Sequence, residues 1–182
     1  SASSLPFRTT YRSTKARTAL SYSLNQTKEP SLWEASAAVT EPNHNTMEER
    51  FKKIKAFVFD VDGVLTDGGI LATLDGELLR TFDSKDGFAL RMAEMHGYHL
   101  AIITGGRSES IRKRFGTCGV KEEDVYLGSR DKIEDFNDFC TRHMISADEV
   151  MYFGDDLPDI PVMQACGCGV CPNDAVDDVK AI

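Results

Sequence analysis

The stretch Lys55-Ala56-Phe57-Val58-Phe59-Asp60-Val61-Asp62-Gly63-Val64-Leu65-Thr66 constrains this chain more than any other. An apolar run rich in Phe and Val ends in two carboxylates one residue apart, and glycine follows at once. A run this short, bounded by a turn signal, reads as a buried strand. Strand residues i and i+2 share a face, so Asp60 and Asp62 are expected to meet at its carboxyl end. That is where open α/β sheets bind their ligands. Two carboxylates so close repel each other unless a cation or a shared proton intervenes. The pair therefore predicts a Mg2+ site, with one carboxylate as nucleophile and the other as acid/base. A strand that merely ends in an Asp-Gly turn has the same local sequence, so the rest of the chain must decide.

The following segments alternate. Ile70–Leu74 and Glu77–Phe82 flank Asp75-Gly76, a strong hairpin signal. Ile70, Leu71, Leu74, Leu78, Leu79 and Phe82 make this hairpin too apolar to stand alone in water, so it should pack on another subunit. A helix is expected near Phe88–His96. A second core strand over Tyr98–Ile103 ends in Thr104-Gly105-Gly106-Arg107-Ser108, and a helix follows over about Glu109–Cys118. Val125–Leu127 reads as a short strand and Lys132–His143 as a helix with Ile133, Phe136 and Phe139 on one face. Val150–Phe153 is a strand running into Gly154-Asp155-Asp156-Leu157-Pro158-Asp159. A short helix and a last strand near Gly167–Val170 close the pattern. Strands alternating with helices predict a doubly wound, Rossmann-like parallel α/β sheet with a β-hairpin inserted after strand 1.

Charge is uneven. The 182 residues carry a net charge of −8, but residues 1–46 hold five basic and three acidic side chains, against 16 and 26 in the remainder. An acidic domain repels a nucleic-acid backbone, and no apolar run approaches a membrane span, so neither partner is expected. The first 46 residues lack hydrophobic periodicity and are excluded from the fold. Their Ser/Thr-rich, acid-poor start has the composition of a transit peptide, and equally that of a disordered leader before Met47. Five cysteines and no secretory signal favour a reduced, cytoplasmic compartment, or an organelle if residues 1–28 are a transit peptide. Cys166, Cys168 and Cys171 suggest zinc only weakly, because a fourth ligand is missing; small residues packing along a buried strand is the better reading.

Polar chemistry sits at four strand ends, in order: Asp60/Asp62, Thr104-Gly105, Lys132 and Asp155/Asp156. Each could be a turn or a solvated helix start. In this order the chain resembles the haloacid dehalogenase-like phosphatases, whose pattern is Asp-x-Asp-x-Thr/Val, then Ser/Thr, then Lys, then paired acids. The resemblance covers Lys55 to the C-terminus. It implies that Asp60 is the nucleophile and Asp62 the acid/base. It further implies Mg2+ on the carboxylates of Asp60 and Asp155 and the Asp62 carbonyl, supported by Asp156 and Asp159, and phosphoryl oxygens on Thr104, Gly105 and Lys132. The gaps of 44 residues from Asp60 to Thr104 and 28 from Thr104 to Lys132 leave no room for a cap domain.

Within that family the chain looks most like the capless 3-deoxy-D-manno-octulosonate 8-phosphate phosphatases, through Asp60–Gly68, the hairpin, Asp86-Gly87, Thr104-Gly105 and Gly154–Asp159. That resemblance implies a homotetramer joined by its hairpins and a phosphorylated eight-carbon keto sugar acid of lipopolysaccharide biosynthesis as substrate. Lys85 and Arg107 would meet the sugar acid. Two departures are expected to matter. Gly106 stands where many relatives place Arg, which keeps the nine-carbon sugar acid open. The chain ends at Ile182, where relatives continue into a Gly-rich tail, so the phosphatase domain over residues 47–182 is expected to be truncated. The competing reading from another class is a non-catalytic oligomerisation module. A phosphomutase would need a cap to retain its intermediate, and a protein phosphatase would need a site that subunits do not cover.

Overall fold

The Phe/Val run forms the middle of a five-stranded sheet. The structure, a computed structural model, describes residues 47–182; the leader expected over residues 1–46 lies outside the described residues. Strand β1 (Ala56–Phe59) is buried along its whole length. It pairs in parallel with β4 (His99–Thr104) on one side and β6 (Val150–Phe153) on the other. Strands β5 (Val125–Leu127) and β7 (Cys168–Val170) complete the order β5-β4-β1-β6-β7. A strand covered on both faces has no polar face to alternate with, which is why its sequence reads as a continuous apolar run.

Parallel neighbours need crossovers, and the helices that follow the lead-in helix α1 (Met47–Lys53) supply them. Phe57 and Phe59 pack on one face with Ile102, Phe153, Leu90 of α2 (Ser84–Met95), and Ile111 and Phe115 of α3 (Glu109–Gly116). Phe59 stacks on Phe153 with ring centroids 4.5 Å apart. Val58, Ala101, Ile103 and Tyr152 face the other way, toward Phe136 and Phe139 of α4 (Lys132–His143) and Val162 of α5 (Ile160–Ala165). The sheet is thus doubly wound. Successive strands run outward from β1 through β4 to β5, then return to β6 and β7. The direction of winding changes at β1, which puts the ligand crevice at the carboxyl ends of β1, β4 and β6. Among the described residues no connection carries a cap domain, and no helix is long and apolar enough to cross a membrane.

Two elements differ from the sequence reading. Helix α2 begins at Ser84, not near Phe88, because the Asp83 carboxylate accepts from the Lys85 N–H at 2.7 Å and caps it. The hairpin is shorter than its apolar runs: β2 (Leu71–Ala72) pairs with β3 (Leu78–Leu79) around Asp75-Gly76, where Gly76 takes φ 89°. Ile70, Leu71, Leu74, Leu78 and Leu79 are exposed on it. Cys168 is buried on β7, Cys166 and Cys171 are half-buried, and all three are free thiols, in keeping with packing along a strand.

Candidate active site

Strand alternation aims Asp60 to the same side as Val58, toward α4. Lys132, the first residue of α4, meets it there: Nζ lies 2.9 Å from Asp60 Oδ2 and 2.7 Å from Asp159 Oδ1, with its side chain 5% exposed. The Asp60 backbone N–H continues the β1–β6 ladder by donating to the Phe153 carbonyl, and its Oδ1 accepts from the Val61 N–H at 2.6 Å. Burial is the largest influence on Asp60. Together with Asp159 it outweighs Lys132 and pushes the carboxyl up from 3.8 to about 7. Burial works against the Lys132 ammonium, but Asp60 and Asp159 overcome it and raise its pKa.

Asp159 is the junction of the site. Its Oδ1 accepts from Lys132 and from the Tyr152 hydroxyl, both at 2.7 Å. Its Oδ2 accepts from the backbone N–H groups of Asp155 and Asp156 at 3.0 and 3.2 Å. Asp159 is fully buried. Gly154 makes this turn possible, because a Cβ there would sit 2.4 Å from that of Asp159. Asp156 is exposed and caps the following turn, accepting from the Leu157 N–H at 2.8 Å.

Carboxylate oxygens of Asp60, Asp155 and Asp159 lie within 4.8 Å of one another, the gathering of possible metal ligands found among the described residues. An all-oxygen set suits a hard divalent cation. With Asp159 occupied by Lys132, Tyr152 and two amides, Asp60 and Asp155 are the pair that fits the metal. Gly63 keeps the space open: it takes φ 87°, and a Cβ there would fall 1.9 Å from Asp155 Oδ2. No side chain other than hydrogen is compatible with that approach.

Thr104 ends β4, 1% exposed, with its hydroxyl accepting from the Gly106 N–H at 3.1 Å. Gly105 follows it in the open. Lys85 lies in the first turn of α2. Arg107 is exposed beside Gly128 and lines a groove of about 610 Å3 together with Leu78, Arg80, Ser110 and Lys113.

Asp62 departs from expectation. Its carboxylate does not join the acidic group around Asp60; Arg80 takes it, with Nε 2.6 Å from Oδ1 and Nη2 2.9 Å from Oδ2. The reason is local. β1 stops at Phe59 and the chain turns through 61–66, so strand alternation no longer governs Asp62. Sequence reasoning passed over Arg80, a lone basic residue beyond the hairpin turn, and Tyr152, which reads as one more apolar strand residue. An inward-facing Tyr on the same sheet face as Asp60 was the available signal for the second, since a buried hydroxyl needs a partner.

Residues 124–182 match the family described as haloacid dehalogenase-like hydrolase. The 3-deoxy-D-manno-octulosonate 8-phosphate phosphatase of Escherichia coli K12 is 37% identical over 124 residues, 68% of this chain and 65% of the relative. The chain therefore spans just under two-thirds of that relative's length. The Haemophilus influenzae enzyme of the same name is 32% identical over 134 residues, 74% of this chain and 73% of the relative. Among solved structures, the Moraxella catarrhalis phosphatase of that name, in complex with a magnesium ion, a phosphate ion and KDO, superposes with a TM-score of 0.70 at 31% identity. That superposition covers 75% of this chain and 79% of the other.

Proposed function

Since the chain belongs to the 3-deoxy-D-manno-octulosonate 8-phosphate phosphatase family of the haloacid dehalogenase-like hydrolases, we propose that it is a Mg2+-dependent phosphatase of a sugar-acid phosphate, most simply the eight-carbon 8-phosphate, acting through an aspartyl phosphate. The observation that carries the reading is the buried junction of Asp60, Lys132 and Asp159 beside Asp155. A solvated turn has no need of it.

The chemistry divides between the two halves of the site. An Asp60 oxygen attacks phosphorus, the bond to the leaving oxygen breaks, and Asp62 gives that oxygen its proton. Asp62, now a carboxylate, takes a proton from water as the water oxygen bonds to phosphorus and the Asp60–phosphorus bond breaks. Lys132 and the Thr104 hydroxyl, with the Gly105 amide, hold phosphoryl oxygens and offset their charge. Asp60 and Asp155 would hold Mg2+ with the Asp62 carbonyl, and the ion when bound supplies positive charge opposite the phosphoryl group. Asp159 keeps Lys132 and the Asp155–Asp156 turn in place. Asp156 extends that support at the rim. Arg107, in the groove, and Lys85 are the cations proposed to meet the sugar carboxylate or hydroxyls.

The exposed leucines of the hairpin support association of copies through it, in a homotetramer. The test is phosphate release with Mg2+ across the eight-carbon and nine-carbon keto acid phosphates and simple hexose phosphates. Preference for the eight-carbon acid is the expected result. Preference for the nine-carbon acid keeps the chemistry and changes the substrate. No release from any of them returns the fold to an assembly module.

A further inference from the structure

We propose that Arg80 is the positioning residue of Asp62, and that the hairpin delivers it to the site. This rests on the phosphatase reading above. The fork geometry comes first. Nε and Nη2 each take a different oxygen of Asp62, at 2.6 and 2.9 Å, and the remaining Nη1 donates to the Leu78 carbonyl at 3.1 Å. All three nitrogens of the guanidinium are thereby fixed, one to the hairpin's own backbone and two to the carboxylate. A bidentate pair sets the orientation of a carboxylate as well as its place. Asp62 needs that, because it sits on a turn after β1 and not on the strand. Among the described residues Arg80 is its hydrogen-bonding partner.

The surroundings are shaped to this arginine. Its side chain is 3% exposed, whereas that of Asp62 is 28% exposed. Gly106 leaves room for it: a Cβ there would come 3.1 Å from Nη2 and 2.9 Å from Ile111 Cδ1. Arg80 also lines the groove that it shares with Arg107 and Lys113. With the guanidinium buried and both carboxylate oxygens engaged, what this pair supplies to the site is direction. It also makes the acid/base answer to the hairpin: a shift of β3 moves the Leu78 carbonyl, the guanidinium and Asp62 together.

The test separates positioning from general damage. An alkoxide leaving group needs the Asp62 proton and p-nitrophenolate does not. For Arg80→Ala, kcat/KM on the best alkyl phosphate of the panel is expected to fall about 10- to 100-fold, and on p-nitrophenyl phosphate by no more than about 3-fold. Added guanidinium should recover the alkyl substrate selectively, and Arg80→Lys, which keeps the charge and loses the fork, should stay impaired. Equal losses on both substrates, or no loss on either, overturn the proposal. Hydrogen exchange of the hairpin amides supplies a readout that needs no turnover. Exchange around Leu78–Arg80 should quicken in Asp62→Ala, and unchanged exchange overturns the link. If the wild-type protein hydrolyses neither ester, the phosphatase reading fails, while the exchange result still decides whether Arg80 and Asp62 are tied.

Discussion

The strand-end site and the hairpin lie side by side, yet they obey different rules. Around Asp60 the side chains of Lys132 and Asp159 are buried and held by several partners: Lys132 bridges two carboxylates, and Asp159 accepts from four donors. The hairpin has two-residue strands and exposes its leucines. The first region depends on this chain's own packing. The second makes physical sense when something else covers it. Arg80 joins the two, rooted in the hairpin and ending on Asp62.

The comparison breaks if substitutions in the two regions behave alike. The largest effect is expected at Lys132. Lys132→Met leaves Asp60 and Asp159 buried without their shared cation, and removing one partner of a buried pair costs about 3–5 kcal/mol. Urea denaturation at neutral pH would read the loss, and a cost below about 1 kcal/mol would mean that the junction is not as tightly coupled as its geometry.

A pH-dependent effect is expected at Asp60. Burial pushes its carboxyl up from 3.8 to about 7. Between those values the folded chain keeps a proton that the unfolded chain has lost, so Asp60 costs stability increasingly as pH rises through this window. In metal-free buffer, Asp60→Asn should raise the melting midpoint more at pH 7 than at pH 4. An equal gain at both pH values would show that Asp60 is ionised in the fold throughout.

The smallest effect on folding is expected in the hairpin. Replacing Leu78 and Leu79 with Asp changes two exposed positions, where substitutions usually stay within about 0.5 kcal/mol. The same change should convert oligomers to monomers in sedimentation. An unchanged oligomer, or a large loss of stability in the monomer, would erase the distinction between the two regions.

The same contrast explains what could be read from sequence. Val58 and Asp60 share strand parity, and Lys132 opens a helix whose Phe136 and Phe139 must face the sheet. The family resemblance put Lys132 at the site, and the packing of that helix on the sheet face shared by Val58 brings it beside Asp60. Asp159 was legible as a supporting acid, though its four bonds depend on Gly154, whose role is steric and invisible to any pattern of charges. Asp62 was misplaced because alternation was carried past Phe59 into a turn. Arg80 was missed because its partner is 18 residues away across a loop, and neither period 2 nor period 3.6 connects them. The hairpin strands were read too long because apolar content by itself does not set strand length: the pairing stops at Leu71–Ala72 and Leu78–Leu79.

The most direct test is the intact mass of Asp62→Asn protein mixed with Mg2+ and p-nitrophenyl phosphate, whose leaving group needs no proton from Asp62, and quenched in acid. With no carboxylate at Asp62 to activate water, hydrolysis of the intermediate should stall, and the protein should carry one phosphoryl group, mapped to Asp60 and absent in Asp60→Asn. Sustained phosphate release by Asp60→Asn, or a phosphoryl group mapped to another residue, would contradict the account.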